Sequence, residues 1–228
     1  MDNSYTDEII DRLSSIYDLS ILKDEFLHFE NPYQILIATI LSAQTTDKSV
    51  NSVTRELFFK YPGVNELADA EQTDIERIIY VTGFFHAKAK NIIATAKILK
   101  TSFNGIIPGT SELLMTLPGV GRKTALIVLE NAFGIIDGIA VDTHVKRVSM
   151  RLGLTDSSDP VKIEKDLLLI FKKSHWGRIN RLFIIHGRRI CSAKKPLCER
   201  CIISDLCKWD KKSMDRAGIE PAASTMPR

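Results

Sequence analysis

The sequence predicts an all-α fold. Apolar residues recur at three- and four-residue steps along most of the chain, and helix-opening signals precede several of these runs. No segment sustains the period-two alternation of a half-buried strand. The 228 residues suffice for one domain or two, and 44% hydrophobic with 26% charged residues is too apolar for a disordered chain. The longest strongly apolar stretch, Ile35 to Ala43, falls far short of the roughly 20 residues that cross a bilayer. The N-terminus MDNSYTDEIIDRL is acidic and amphipathic, unlike a signal peptide. A soluble cytoplasmic protein with no membrane partner is expected.

Taken in order, Asn31 followed by Pro32 is an N-cap with proline at the first helical position, opening a helix from Pro32 to Leu41. Val50, Val53, Leu57 and Phe58 mark the next helix, which Pro62 ends. Thr73-x-x-Glu76 reads as a capping box before Ile78 and Ile79. From Lys88 to Lys100, Ile92, Ile93, Ala96 and Leu99 share one face. A short helix from Ser111 to Met115 precedes another that starts at Arg122, and Gly134 and Gly153 sit where C-caps close their helices. Asp159-Pro160 repeats the opening signal before Leu167, Leu168 and Phe171. Ser213 to Arg228 has Gly, Pro and Ser without apolar periodicity, so residues 211–228 read as a disordered tail.

Charge is unevenly spread. The chain carries net +3, yet residues 172–212 hold twelve Lys or Arg against Glu199, Asp205 and Asp210, which leaves the chain before them acidic. Such a basic block suits a polyanion, and equally a solvated lysine-rich surface. Cys191, Cys198, Cys201 and Cys207 fall within 17 residues in the order C-x6-C-x2-C-x5-C. Clustering of this kind points to a metal group rather than a disulfide scaffold. One CxxC with two longer arms favours an iron–sulfur cluster over the paired knuckles of structural zinc.

Leu117-Pro118-Gly119-Val120-Gly121 joins the short helix to the one starting at Arg122. Two glycines allow a tight turn whose amides point outward at a helix N-terminus, an arrangement suited to a phosphate, with Arg122 or Thr124 adding donors. A plain helix–turn–helix connection is the competing reading. Lys123 stands in the first turn of the second helix, where the dipole disfavours a cation by roughly 0.3–1 kcal/mol. The same field favours the neutral amine, a nucleophile able to form a Schiff base with a sugar C1′; contact with phosphate is the alternative. In Val141-Asp142-Thr143-His144-Val145, Asp142 is placed as an N-cap. A carboxylate held there by amides stays ionised and can stabilise positive charge on a sugar ring as a base departs.

Three signatures together carry a family resemblance. Leu117 to Ala125 resembles the helix–hairpin–helix of endonuclease III, Val141 to His144 its catalytic aspartate motif, and the cysteine loop its [4Fe–4S] site. Leu41-Ser42-Ala43-Gln44-Thr45-Thr46-Asp47 and His186-Gly187-Arg188 extend the likeness over roughly residues 5–210. The resemblance implies two helical domains: a six-helix barrel at 25–136, and a [4Fe–4S] domain from 1–24 plus 137–210, with the active cleft between them. It implies a monomeric DNA glycosylase and abasic-site lyase of base excision repair. The partner is double-stranded DNA containing damaged pyrimidines or abasic sites. Lys123 attacks C1′ and Asp142 assists departure of the base. Gln44 fills the space of the flipped nucleotide, Phe84 is a wedge toward the opposite strand, and Lys194 and Lys195 contact phosphate.

Two rivals differ in chemistry. A monofunctional glycosylase acting on mismatched adenine, thymine or uracil activates water through the aspartate, and such relatives generally lack a lysine at position 123. A non-catalytic hairpin module grips DNA without needing both Lys123 and Asp142.

Overall fold

The computed structural model describes residues 3–22 and 25–209, so the expected tail at 211–228 lies outside the described residues. All regular structure there is helical, and no strand occurs among the described residues, as the missing period-two pattern anticipates. The α-helices are α1 (Asn3–Ile16), α2 (Pro32–Leu41), α3 (Asp47–Lys60), α4 (Val64–Ala68), α5 (Gln72–Ile79) and α6 (Phe85–Ser102). They continue with α7 (Ser111–Leu114), α8 (Arg122–Phe133), α9 (Thr143–Arg151), α10 (Pro160–Ile170) and α11 (Trp176–Arg189).

Local signals explain most boundaries. The Asn31 side chain accepts from Gln34 N–H and the Asp159 side chain from Lys162 N–H, each with proline in the first turn. Gly134 closes α8 at φ +68°. The expected capping box at Thr73 does not form. α5 starts earlier, at Gln72, with Glu71 as an N-cap that makes no side-chain bond, so Thr73 already lies within the first turn. Glu76 is instead drawn forward, accepting from Gln72 Nε2 at 2.7 Å and pairing with His86 Nδ1 at 2.8 Å.

Two apolar clusters hold the helices. The first is built from α2 to α8, with Leu36, Leu41, Leu57, Ile75, Ile92 and Val128 among its fully buried members. The second joins α1 to α9, α10, α11 and the cysteine loop. Ile9, Ile10 and Leu13 are wholly buried there, a burial worth about 1.5–3 kcal/mol per side chain. Polar bonds fix the same long-range closure: Tyr5 Oη donates to Leu152 O (2.9 Å) and Leu206 O (2.7 Å), and Arg12 pairs with Asp205 at 2.7 Å. No helix among the described residues is long and apolar enough to cross a membrane.

Candidate active site

A cleft of about 1070 Å³ draws its walls from both clusters. Lys123 reaches it from the first turn of α8, Asp142 from the N-cap of α9, Gln44 from the loop between α2 and α3, and Arg188 from the last turn of α11. Asp142 Oδ1 accepts from the amides of His144 (2.8 Å) and Val145 (2.7 Å), the capping geometry that its sequence position implies. Those amides hold one oxygen of the carboxylate, while the residue itself borders the cleft. Lys123 is exposed. Arg188 spans the two sides, binding Asp47 Oδ2 at 2.7 Å and the carbonyl of Glu25 at 2.6 Å.

His144, to which the sequence motif assigns no role of its own, also lines the cleft. Burial lowers its pKa first; Arg147, Arg188 and Lys123 push the same way, while Asp142 opposes them. Its ring therefore senses both Lys123 and Asp142. Arg147 Nη2 lies 3.0 Å from His144 Nδ1 and can only donate, so the proton of the neutral ring sits on Nε2. This packing depends on Gly187: a Cβ there would lie 2.8 Å from His144 Nδ1 and 3.0 Å from Arg147 Nη2. The His-Gly-Arg triplet thus owes its glycine to close approach. Glu130 also borders the cleft, and burial raises its pKa against the opposing charge of Arg181.

The hairpin is rigidly seated. Leu117 and Val120 are buried, so their side chains belong to the core, and their amides donate to Leu114 O and Leu117 O, each at 3.1 Å. Gly119 has φ +80°, and a Cβ would meet Asn91 Nδ2 at 3.0 Å and Ile40 Cγ2 at 3.1 Å. Both facts require glycine. Thr95 Oγ1 donates to the carbonyl of Pro118 at 3.0 Å, tying the turn to α6. The expectation of a free donor at Arg122 does not hold. Its guanidinium bonds Glu164 (2.9 Å), Asp137 (3.2 Å) and Ser111 Oγ (3.1 Å), clamping α8 to α10. Gly121 and Thr124 flank it without such ion pairs, and Phe84, Lys194 and Lys195 lie exposed outside the cleft lining.

The four cysteines border one pocket with Arg151, His186 and Trp209. Among the described residues no three His, Cys, Asp or Glu side chains converge tightly enough for a single ion. Burial, and then the neighbouring cysteines, push the Cys201 and Cys207 thiols up. Gathering four thiolates here needs compensating positive charge, which iron supplies. Hydrogen-bonding partners are already in place: Arg151 Nη1 is 3.2 Å from Cys191 Sγ, and His186 Nε2 is 3.5 Å from Cys201 Sγ. The residues therefore fit an iron–sulfur group.

Comparison with known proteins decides the family. Residues 37–173 match the HhH-GPD superfamily base excision DNA repair protein, and residues 191–207 match the iron-sulfur binding domain of endonuclease III. Endonuclease III of a Synechocystis species is 50% identical, covering 79% of this chain and 83% of that protein. The chain belongs to the endonuclease III family. Endonuclease III of Escherichia coli K12 is 41% identical, covering 82% of this chain and 88% of its own. A solved structure of a trapped endonuclease III–DNA covalent intermediate has 37% identity and a TM-score of 0.84, covering 94% of this chain and 99% of that one. As a member of this family, the protein is a base excision repair DNA glycosylase, of a family for which abasic-site lyase activity is typical, and its cofactor is a [4Fe–4S] cluster on Cys191, Cys198, Cys201 and Cys207. Family membership sets aside the non-catalytic hairpin module.

Proposed function

We propose that this chain excises oxidised pyrimidines from duplex DNA and cleaves 3′ to the resulting abasic site through a Schiff base on Lys123. The observation that carries the reading is the meeting of Lys123 and Asp142 on one cleft, from two different helix N-termini, with His144 lining the same cleft. Asp142 stabilises the oxocarbenium character that develops as the base leaves with a proton. The Lys123 amine bonds C1′ as the C1′–base bond breaks and loses a proton; the C1′–O4′ bond then opens with protonation of O4′ to leave the iminium, which acidifies the C2′ proton, and loss of that proton expels the 3′ phosphate. The [4Fe–4S] group holds the shape of the loop that presents Lys194 and Lys195.

In this reading the hairpin from Leu117 to Gly121, with Arg122 and Thr124, grips phosphate through the Gly119 and Gly121 amides and the Thr124 hydroxyl. The Arg122 side chain serves the framework. Gln44 and Phe84 probe the duplex from either side of the extruded nucleotide. This reading divides the chain into a barrel at 25–136 and a cluster domain from 1–24 plus 137–210, and the protein acts as a monomer at the nucleoid in the cytoplasm.

Borohydride reduction in the presence of a duplex with one oxidised pyrimidine tests the proposal. A covalent protein–DNA adduct and a cleaved strand are expected. Base release from mismatched adenine, thymine or uracil without an adduct would favour the water-activating rival. The basic loop gives a second test. Exchanging Lys194 and Lys195 together for alanine should reduce the salt-dependence slope of binding by about one to two and leave lesion preference unchanged. A change in preference would mean that this loop reads bases.

A further inference from the structure

We infer that Lys88 is a positioning residue that staples together the two loops presenting Gln44 and Phe84. The inference rests on the proposed roles of those two residues. Lys88 lies in the first turn of α6 and is only 4% exposed. Its Nζ donates to Thr45 Oγ1 and to the carbonyl of Thr82, each at 2.8 Å. Thr45 Oγ1 in turn donates to that same Thr82 carbonyl. One ammonium therefore closes a triangle between the residue after Gln44 and the residue two before Phe84.

The backbone shows what the triangle holds. Among the described residues only three non-glycine positions have positive φ: Gln44 (+52°), Phe84 (+48°) and Asn104 (+51°). Asparagine tolerates this region, whereas an ordinary side chain pays of order 1 kcal/mol or more. Strain thus concentrates at two exposed tips, beside the only two segments that Lys88 bonds. Gly83, at φ +65°, sharpens the second turn immediately before Phe84.

A stabilising role alone does not account for a lysine here. Burial lowers its pKa, and a helix N-terminus disfavours a cation. An apolar side chain would fill the first turn of α6 without either penalty. What the ammonium adds is a link between two loops that are 37 residues apart at Thr45 and Thr82, fixing the separation of the two tips. Specificity gained at the expense of stability is a recognised use of buried charge.

The test compares Lys88→Met, Thr45→Val, Gln44→Ala and Phe84→Ala in cluster-loaded protein, using a duplex with a tetrahydrofuran abasic analogue opposite 2-aminopurine and the matched undamaged duplex. Lys88→Met and Thr45→Val should bind the undamaged duplex as the parent does. Each should lose about tenfold or more of the preference for the analogue, with a weaker 2-aminopurine unstacking signal. Adding Lys88→Met to the Gln44→Ala, Phe84→Ala double variant should cost little further, because the staple acts through those residues. If Lys88→Met does not fold, Thr45→Val gives the same comparison. Full preference in the two staple variants, with loss in Gln44→Ala and Phe84→Ala, overturns the staple alone. Full preference in all four overturns the probe roles beneath it.

Discussion

Lys123→Ala is expected to abolish the borohydride adduct and to reduce strand cleavage at an abasic site by about 10³-fold or more, equivalent to about 4 kcal/mol of transition-state stabilisation. The effect is large because in the proposed mechanism this amine forms and breaks the covalent bond, a role that Lys48 and Lys146, the other lysines lining the cleft, do not share. Folding should be undisturbed. Lys123 is exposed, and alanine removes an unfavourable cation from a helix N-terminus, so thermal stability should hold or rise slightly. DNA affinity should fall little, since the hairpin amides remain. Quantitative gel analysis of adduct and of cleaved strand, on a preformed abasic site and on an oxidised pyrimidine, separates the steps. Undiminished cleavage by Lys123→Ala would remove the Schiff base from the mechanism.

What the sequence reveals here depends on the range of the interaction. Asn31-Pro32, Asp159-Pro160 and Gly134 announce helix ends because a cap is a contact within one turn, complete in a few residues. Thr73-x-x-Glu76 misleads for the same reason: the local pattern is present, but α5 begins at Gln72 and Glu76 is drawn toward His86 on the next helix. Lys88 shows the limit of periodicity. On a helical wheel it is a lysine at the edge of an apolar face, and only the folding of two distant loops over it makes it buried. Arg122 reads as an anion donor until Glu164, 42 residues on, claims it. His144 and Gly187 belong to the site through a backbone approach between α9 and α11, which no spacing within either segment encodes. Cap-forming Asp142, by contrast, was legible because its structural role lies inside its own motif.

That dual position makes Asp142 the sharpest residue for separating fold from chemistry. Asparagine caps a helix about as well as aspartate, so Asp142→Asn should keep both amide bonds and cost a few tenths of a kcal/mol at most. Alanine removes the cap and should destabilise by about 1 kcal/mol. Both changes delete the negative charge that the proposed mechanism sets against the sugar. Base release from an oxidised pyrimidine should therefore slow by about 10²–10³-fold in each, the scale of losing one preorganised electrostatic contact to a developing charge. The adduct formed on a preformed abasic site should fall less, because there the base has already gone and the carboxylate has no departure to assist. If the loss of activity instead follows stability, severe for alanine and mild for asparagine, Asp142 acts only as the cap that orients α9, and the charge on the cleft must come from another carboxylate. Glu130 also lines the cleft, but burial raises its pKa, which opposes the ionised state that this role demands. The comparison of asparagine with alanine therefore decides between two functions that one oxygen atom can serve together.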